Sequence, residues 1–194
     1  MTGIEAGLAE VQRVFGELSL RYAVIGGLAN AVWGEPRSTL DIDVTVRVEE
    51  ARLRSVIARL ADRFQALPAD PVEFVRSHSV LPVRSSSGVR IDMIFARLPF
   101  EEEVITRAVV MEIGGMRLPI CTAEDLILMK IASDRPRDVD DARGVALRRM
   151  AALDLEYLER RIRELALLLE GPEILERWLT WKREAGSPGG AGRA

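Results

Sequence analysis

The sequence predicts a mixed α/β (α+β) fold: a small mixed sheet with flanking helices, followed by a C-terminal helical bundle. Three observations predict it. Within the first 120 or so residues, segments with strand-like alternation are interleaved with segments of helical spacing. From Thr122 onward only helical spacing remains. Aromatic residues make up only 5% of the chain, so the core must rest on Leu, Val, Ile and Ala, which suits helices packed on a sheet. The boundaries that follow are 1–120 for the mixed domain, 121–185 for the helical domain and 186–194 for a Gly-rich tail expected to be disordered.

Ile4, Leu8, Val11, Phe15 and Leu18 recur every three to four residues, the apolar stripe of an amphipathic helix. Tyr22 to Ile25 is a short β-prone run that stops at Gly26-Gly27, and an Ala-rich helix then runs to Trp33. Gly34-Glu35-Pro36 breaks that helix, and Ser38 to Val48 has strand character. Glu49 to Phe64 is helical by the spacing of Leu53, Val56, Ile57, Leu60 and Phe64, while Pro68 and Pro71 mark a loop. Val80 to Arg84 and Val89 to Phe95 form a hairpin around Ser85-Ser86-Ser87-Gly88, and Val109 to Ile120 forms a second around Gly114-Gly115. Thr122 is an N-cap with Asp125 three residues on, and helices are expected at about 123–133, 137–151, 155–169 and 172–184.

Composition excludes several functions. With only one cysteine, Cys121, and one histidine, His78, the chain cannot form an internal disulfide or a zinc cage, so any metal must be held by oxygen. Cys121 reads as a small buried apolar group, His78 as a loop or surface residue, and Trp178 and Trp181 as packing residues. The formal net charge of -3 gives no global basic field for nucleic acid. Arg148, Arg149, Arg160, Arg161 and Arg163 do gather near the C-terminus, but Glu156, Glu159 and Glu164 are interleaved with them, which favours an ion-paired helix face over an RNA patch. Without a secretory leader or a long apolar stretch, the protein is expected to be soluble and cytoplasmic, with no membrane partner.

The chemistry concentrates in IGGLANAVWGEPRSTLDIDV, Ile25 to Val44. Asp41 and Asp43 are two apart on a predicted strand, so both carboxylates leave the same face, while Leu40, Ile42 and Val44 are expected to point into the core. Like charges forced together require a counter-ion, and magnesium, which prefers hard oxygen ligands, is the natural one. In VRIDMIF, Val89, Ile91, Met93 and Phe95 make an apolar face and Asp92 turns to the other. If that strand lies beside the Asp41 strand, Asp92 completes a three-carboxylate site able to hold two ions. Gly26-Gly27 at a strand-to-helix turn offers backbone N–H groups to phosphate, and Arg37, Ser38 and Thr39 could add side-chain donors.

A Gly-Gly pair, a helix, Arg-x-Thr-x-Asp-x-Asp and a later hydrophobic-Asp-hydrophobic strand together resemble the DNA polymerase beta-like nucleotidyltransferase superfamily. The spacing, with Arg37 and Thr39 before the acids, is similar to the abortive-infection type IV toxins and related bacterial nucleotidyltransferases. One departure is that Gly27 replaces the serine of the usual Gly-Ser pair, leaving backbone N–H as the donor there. The resemblance implies a nucleotidyltransferase fold and a magnesium-dependent enzyme with two Mg2+ ions, Mn2+ being an alternative. It implies that Asp41, Asp43 and Asp92 bind metal and catalyse, with Asp92 helping to deprotonate the attacking hydroxyl. Gly26, Gly27, Arg37, Ser38, Thr39 and Lys130 would bind the nucleotide. KIASDRPRDVDDARGV, from Lys130, is similar to the lysine and basic-Asp-x-x-Asp segment of the toxin group, with Arg137, Asp138 and Asp141 as supporting groups. Acids at a helix start account for that segment equally well. The implied reaction moves a nucleoside monophosphate from a nucleoside triphosphate to a hydroxyl of RNA or tRNA, with an antitoxin protein as a further partner. A small hydroxylated, aminoglycoside-type acceptor, or a non-catalytic nucleotide-binding or partner-binding module, stays open.

Overall fold

In the computed structural model, residues 2–187 are described. The expected tail at 186–194 falls largely outside them. The chain divides into two compact units: residues up to Leu28 together with Ser38–Cys121, and Ala29–Arg37 together with Thr122 onward. The segment Ala29–Arg37, expected in the first domain, is therefore grouped with the C-terminal helices.

Among the described residues, the first unit is built on a seven-stranded mixed sheet in the order β3-β4-β5-β2-β1-β7-β6. Its strands are β1 (Arg21–Val24), β2 (Asp41–Arg47), β3 (Gln65–Ala66), β4 (Val80–Arg84), β5 (Arg90–Phe95), β6 (Val109–Ile113) and β7 (Met116–Ile120). Both expected hairpins are present, β4 with β5 and β6 with β7. Gly88, Gly114 and Gly115 take the positive φ that their turns require, at 82°, 57° and 77°. Strands β2 and β5 are parallel neighbours, running from Asp41 opposite Arg90 to Val46 opposite Phe95. On the covered positions of this central pair, Ile42, Val44, Val46, Ile91 and Met93 are fully buried.

Helix α1 (Gly3–Glu17) opens with a capping box: Thr2 Oγ1 accepts from the Glu5 N–H at 3.2 Å, and the Glu5 carboxylate accepts from the Thr2 N–H at 2.8 Å. It buries Leu8, Val11 and Phe15, three positions of the stripe that the spacing predicts, together with Val14. Helix α2 (Gly26–Trp33) starts at the glycine corner, and α3 (Glu50–Arg63) buries Leu53, Val56, Ile57 and Leu60.

Two helices were not anticipated. In α4 (Pro71–His78), Asp70 caps the Glu73 N–H at 3.0 Å and Pro71 sits in the first turn. In α5 (Pro99–Arg107), Pro99 has the same place and the Glu101 carboxylate accepts from the N–H groups of Arg97 and Leu98. Proline at a first helical turn costs nothing, because its missing N–H would have had no intrahelical partner there. A second correction concerns Leu40: β2 begins only at Asp41, and Leu40 is 86% exposed rather than buried.

The second unit contains α6 (Ala123–Ile131), α7 (Pro136–Arg149), α8 (Leu155–Leu168) and α9 (Pro172–Gly186), with a 3-10 turn at Met150–Ala152. Thr122 caps α6 by accepting from the Asp125 N–H at 3.2 Å. Asp125 is fully buried and accepts from the Tyr157 hydroxyl at 2.8 Å. Trp178 and Trp181 are buried and pack, Cys121 is a fully buried thiol, and His78 is exposed and stacked on Phe74 at 4.3 Å. Among the described residues, no helix is long and apolar enough to cross a membrane.

Candidate active site

The register of β2 against β5 builds the site. Asp43 stands opposite Asp92 and Asp41 opposite Arg90, and residues two apart share a face, so all four side chains leave the same side of the strand pair. This patch holds three acids and one base. Each of the three aspartates is partly buried; Asp43 and Asp92 lie between hydrophobic neighbours that are fully buried, and Asp41 lies between exposed Leu40 and buried Ile42.

The glycine corner is fastened to the same strand, because the Ile25 N–H donates to the Asp43 carbonyl at 2.9 Å. Gly26 has φ of 61°, and a Cβ placed on it would lie 2.0 Å from Asp43 Oδ2. Only glycine permits both the left-handed backbone and this approach of the carboxylate to the start of α2. Thr39 Oγ1 donates to Asp41 Oδ1 at 2.9 Å, which orients the first acid of the pair. Gly27 lies in the first turn of α2, and Ser38 is exposed just ahead of Thr39.

Arg90 was not singled out by sequence reasoning. Its Nε donates to both Asp92 oxygens, at 3.0 and 3.1 Å. The Asp92 hydrogen bond and charge raise the guanidinium pKa above its ordinary value, and Asp41 and Asp43 add to the effect. The signal was available: Arg90 is two residues before Asp92 on one strand, hence on the same face.

Two residues expected at the nucleotide lie in the second unit, gathered around Asp141. Arg37 donates from Nε and Nη2 to the two Asp141 oxygens, at 3.1 and 2.8 Å. Lys130 is 7% exposed, and its Nζ donates to Asp138 at 2.5 Å and Asp141 at 2.9 Å. Asn30 Nδ2 adds a bond to Asp141 at 3.2 Å. Burial alone would raise the Asp138 and Asp141 pKa values, but the Lys130 bond at Asp138, and the Arg37 and Lys130 bonds at Asp141, hold both below the ordinary aspartate value. The Lys130 ammonium, expected at a phosphate, is thus committed to two carboxylates.

Whether Asp41, Asp43 and Asp92 suit a cation can be tested on the donors themselves. All are hard carboxylate oxygens on one face, and the missing side chain at Gly26 lets the Asp43 carboxylate lie against the glycine corner. The donor set fits magnesium. As the side chains stand, with Arg90 on Asp92, no group of three or more His, Cys, Asp or Glu among the described residues is disposed to hold an ion.

The family described as "Nucleotidyltransferase of unknown function (DUF6036)" matches residues 8–174. No curated protein matches the sequence. The solution structure of the antibiotic-resistance factor ANT(2'')-Ia is similar with a TM-score of 0.57 at 16% identity, over 86% of this chain and 94% of that one. An antigenic nucleotidyltransferase-like protein from Paracoccidioides brasiliensis is similar with a TM-score of 0.52 at 14% identity, over 90% of each chain. At such identities the likeness is one of fold, and the fold is that of nucleotidyltransferases.

Proposed function

We infer the reaction from one premise: the chain belongs to the nucleotidyltransferases of unknown function (DUF6036). In our reading it moves a nucleoside monophosphate from a nucleoside triphosphate to a hydroxyl acceptor. The acceptor oxygen bonds to the α-phosphorus, the bond to the β-phosphate bridge breaks, and pyrophosphate leaves. The observation that carries this reading is the register pair Asp43 and Asp92, with Asp41 on the same face and the Gly26 corner against Asp43.

Asp41, Asp43 and Asp92 would hold magnesium, two ions in full occupancy, with manganese as a substitute. Bound there, the metal would supply neutralisation of the triphosphate charge. The start of α2 at Gly26-Gly27 offers backbone N–H groups to phosphate, and the Ser38 and Thr39 hydroxyls are further donors. Asp92 takes the proton of the attacking hydroxyl. Arg37 and Lys130 enter this reading first as the cations that fix Asp141.

A small hydroxylated acceptor fits better than RNA. Arg161 pairs with Glu164, Arg163 and Lys182 with Glu159, and Arg143 with Glu184, so these four basic side chains of the C-terminal helices are engaged by neighbouring acids. The antibiotic-resistance factor shares the fold alone and sets only the acceptor class to try first. We place the reaction in the cytoplasm. A toxin-type role with an antitoxin partner is the competing outcome.

The test is incubation with α-phosphate-labelled nucleoside triphosphates, with aminoglycosides and total RNA as separate acceptors, for wild type and Asp43→Ala. Magnesium-dependent label on the small molecule, lost in Asp43→Ala, is expected. Labelled RNA instead would establish the toxin-type role, and nucleotide binding without any product would reduce the protein to a binding module.

A further inference from the structure

The Arg90–Asp92 contact joins a basic residue to one of three acids that share a face. The contact is bifurcated, one Nε–H shared between both carboxylate oxygens within 3.1 Å, and the arginine side chain is 53% exposed and that of Asp92 20%. An ion pair this open to water is weak and easily exchanged, because solvent screens it and holding the long side chain costs entropy. A divalent cation at this face would seek the same oxygens that Arg90 holds. Arginine remains charged at every ordinary pH, so the competition does not depend on titration.

We propose that Arg90 is a resident counter-ion that occupies the Asp92 carboxylate until a divalent cation displaces it, and so sets the affinity of the site for that ion. This rests on the reading of Asp41, Asp43 and Asp92 as metal ligands. Arg90 neutralises part of the acidic face when no ion is bound, since it pairs with Asp92 and stands opposite Asp41 in the strand register. Entry of the ion frees the guanidinium into solvent, which its exposure allows.

The experiment is calorimetric titration of Mn2+ into wild type, Arg90→Gln, Arg90→Lys and Asp92→Asn, with the Arg90→Gln/Asp92→Asn double variant. Arg90→Gln is expected to bind Mn2+ roughly 3- to 10-fold more tightly than wild type, through loss of both the competing ion pair and a nearby like charge. Arg90→Lys falls between, since an ammonium keeps the charge but not the Nε–H that both oxygens share. In the Asp92→Asn background the change at 90 loses the part of its effect that acts through the carboxylate. Equal or weaker binding by Arg90→Gln overturns the counter-ion role while leaving the metal site intact. Absence of Mn2+ binding by every variant, wild type included, overturns both.

Discussion

Asp43 and Asp92 stand opposite each other on adjacent parallel strands, so two carboxylates are held on one face by the register of the sheet. Like charges so placed weaken a sheet, in conflict with the close packing of fully buried Ile42, Val44, Ile91 and Met93 beside them.

That conflict is measurable in Asp43→Asn. The substitution keeps the shape and removes one charge, so the apo protein is expected to gain about 1–3 °C in Tm, from a relief of a few tenths to 1 kcal/mol. Turnover should fall by at least about two orders of magnitude. Calorimetry without divalent ions and a pyrophosphate-release assay give the two readings; a lower Tm would show that Asp43 is a structural acid.

Gly26→Ala places a Cβ 2.0 Å from Asp43 Oδ2 at a residue with φ of 61°. The left-handed backbone alone costs about 1–2 kcal/mol, and the displaced carboxylate should lower kcat/KM at least about tenfold. Gly16→Ala is the control: it lies in α1 with nothing within 4 Å of the added Cβ, and should be neutral or stabilising by up to about 1 kcal/mol.

Acid should weaken the helical unit through Asp138 and Asp141. Both have folded pKa values below the ordinary aspartate value, so the unfolded chain binds protons first as pH falls. Their contribution is complete above the unfolded value of about 4 and is lost as pH drops through the lower folded values. Denaturant midpoints measured from neutrality down to acid should fall in that window, and Asp141→Asn should flatten the slope. Asp141→Ala, which leaves Arg37 and the buried Lys130 one carboxylate short, should cost about 3–5 kcal/mol at neutral pH.

Leu40 and Ile42 test where β2 enters the core. Leu40→Ser should change stability by less than about 0.5 kcal/mol, because the side chain is 86% exposed. Ile42→Ala should cost about 2–5 kcal/mol, because Ile42 is fully buried. Urea unfolding of both variants separates the two expectations.

Much of the fold was legible because its signals are local. The stripe of α1, the glycine turns of both hairpins and the Thr122 cap each lie within a few residues of sequence. Helices α4 and α5 were not read from the sequence because a proline serves either as a breaker or as a first-turn residue; Pro71 and Pro99 are the second, with Asp70 accepting from the Glu73 N–H and Glu101 from the Arg97 and Leu98 N–H groups. Leu40 was misjudged because alternation says which residues share a face and not where a strand begins.

By itself the sequence determined which groups are present and which of them share a strand face: Asp41 with Asp43, and Arg90 with Asp92. Only the tertiary structure decided that β5 lies parallel beside β2 in the register that sets Asp43 against Asp92, and that Lys130 is buried between Asp138 and Asp141. The physical reason is range. Side-chain alternation and capping act over a few bonds, whereas strand register and buried ion pairs depend on partners that the chain brings together only when the whole core closes.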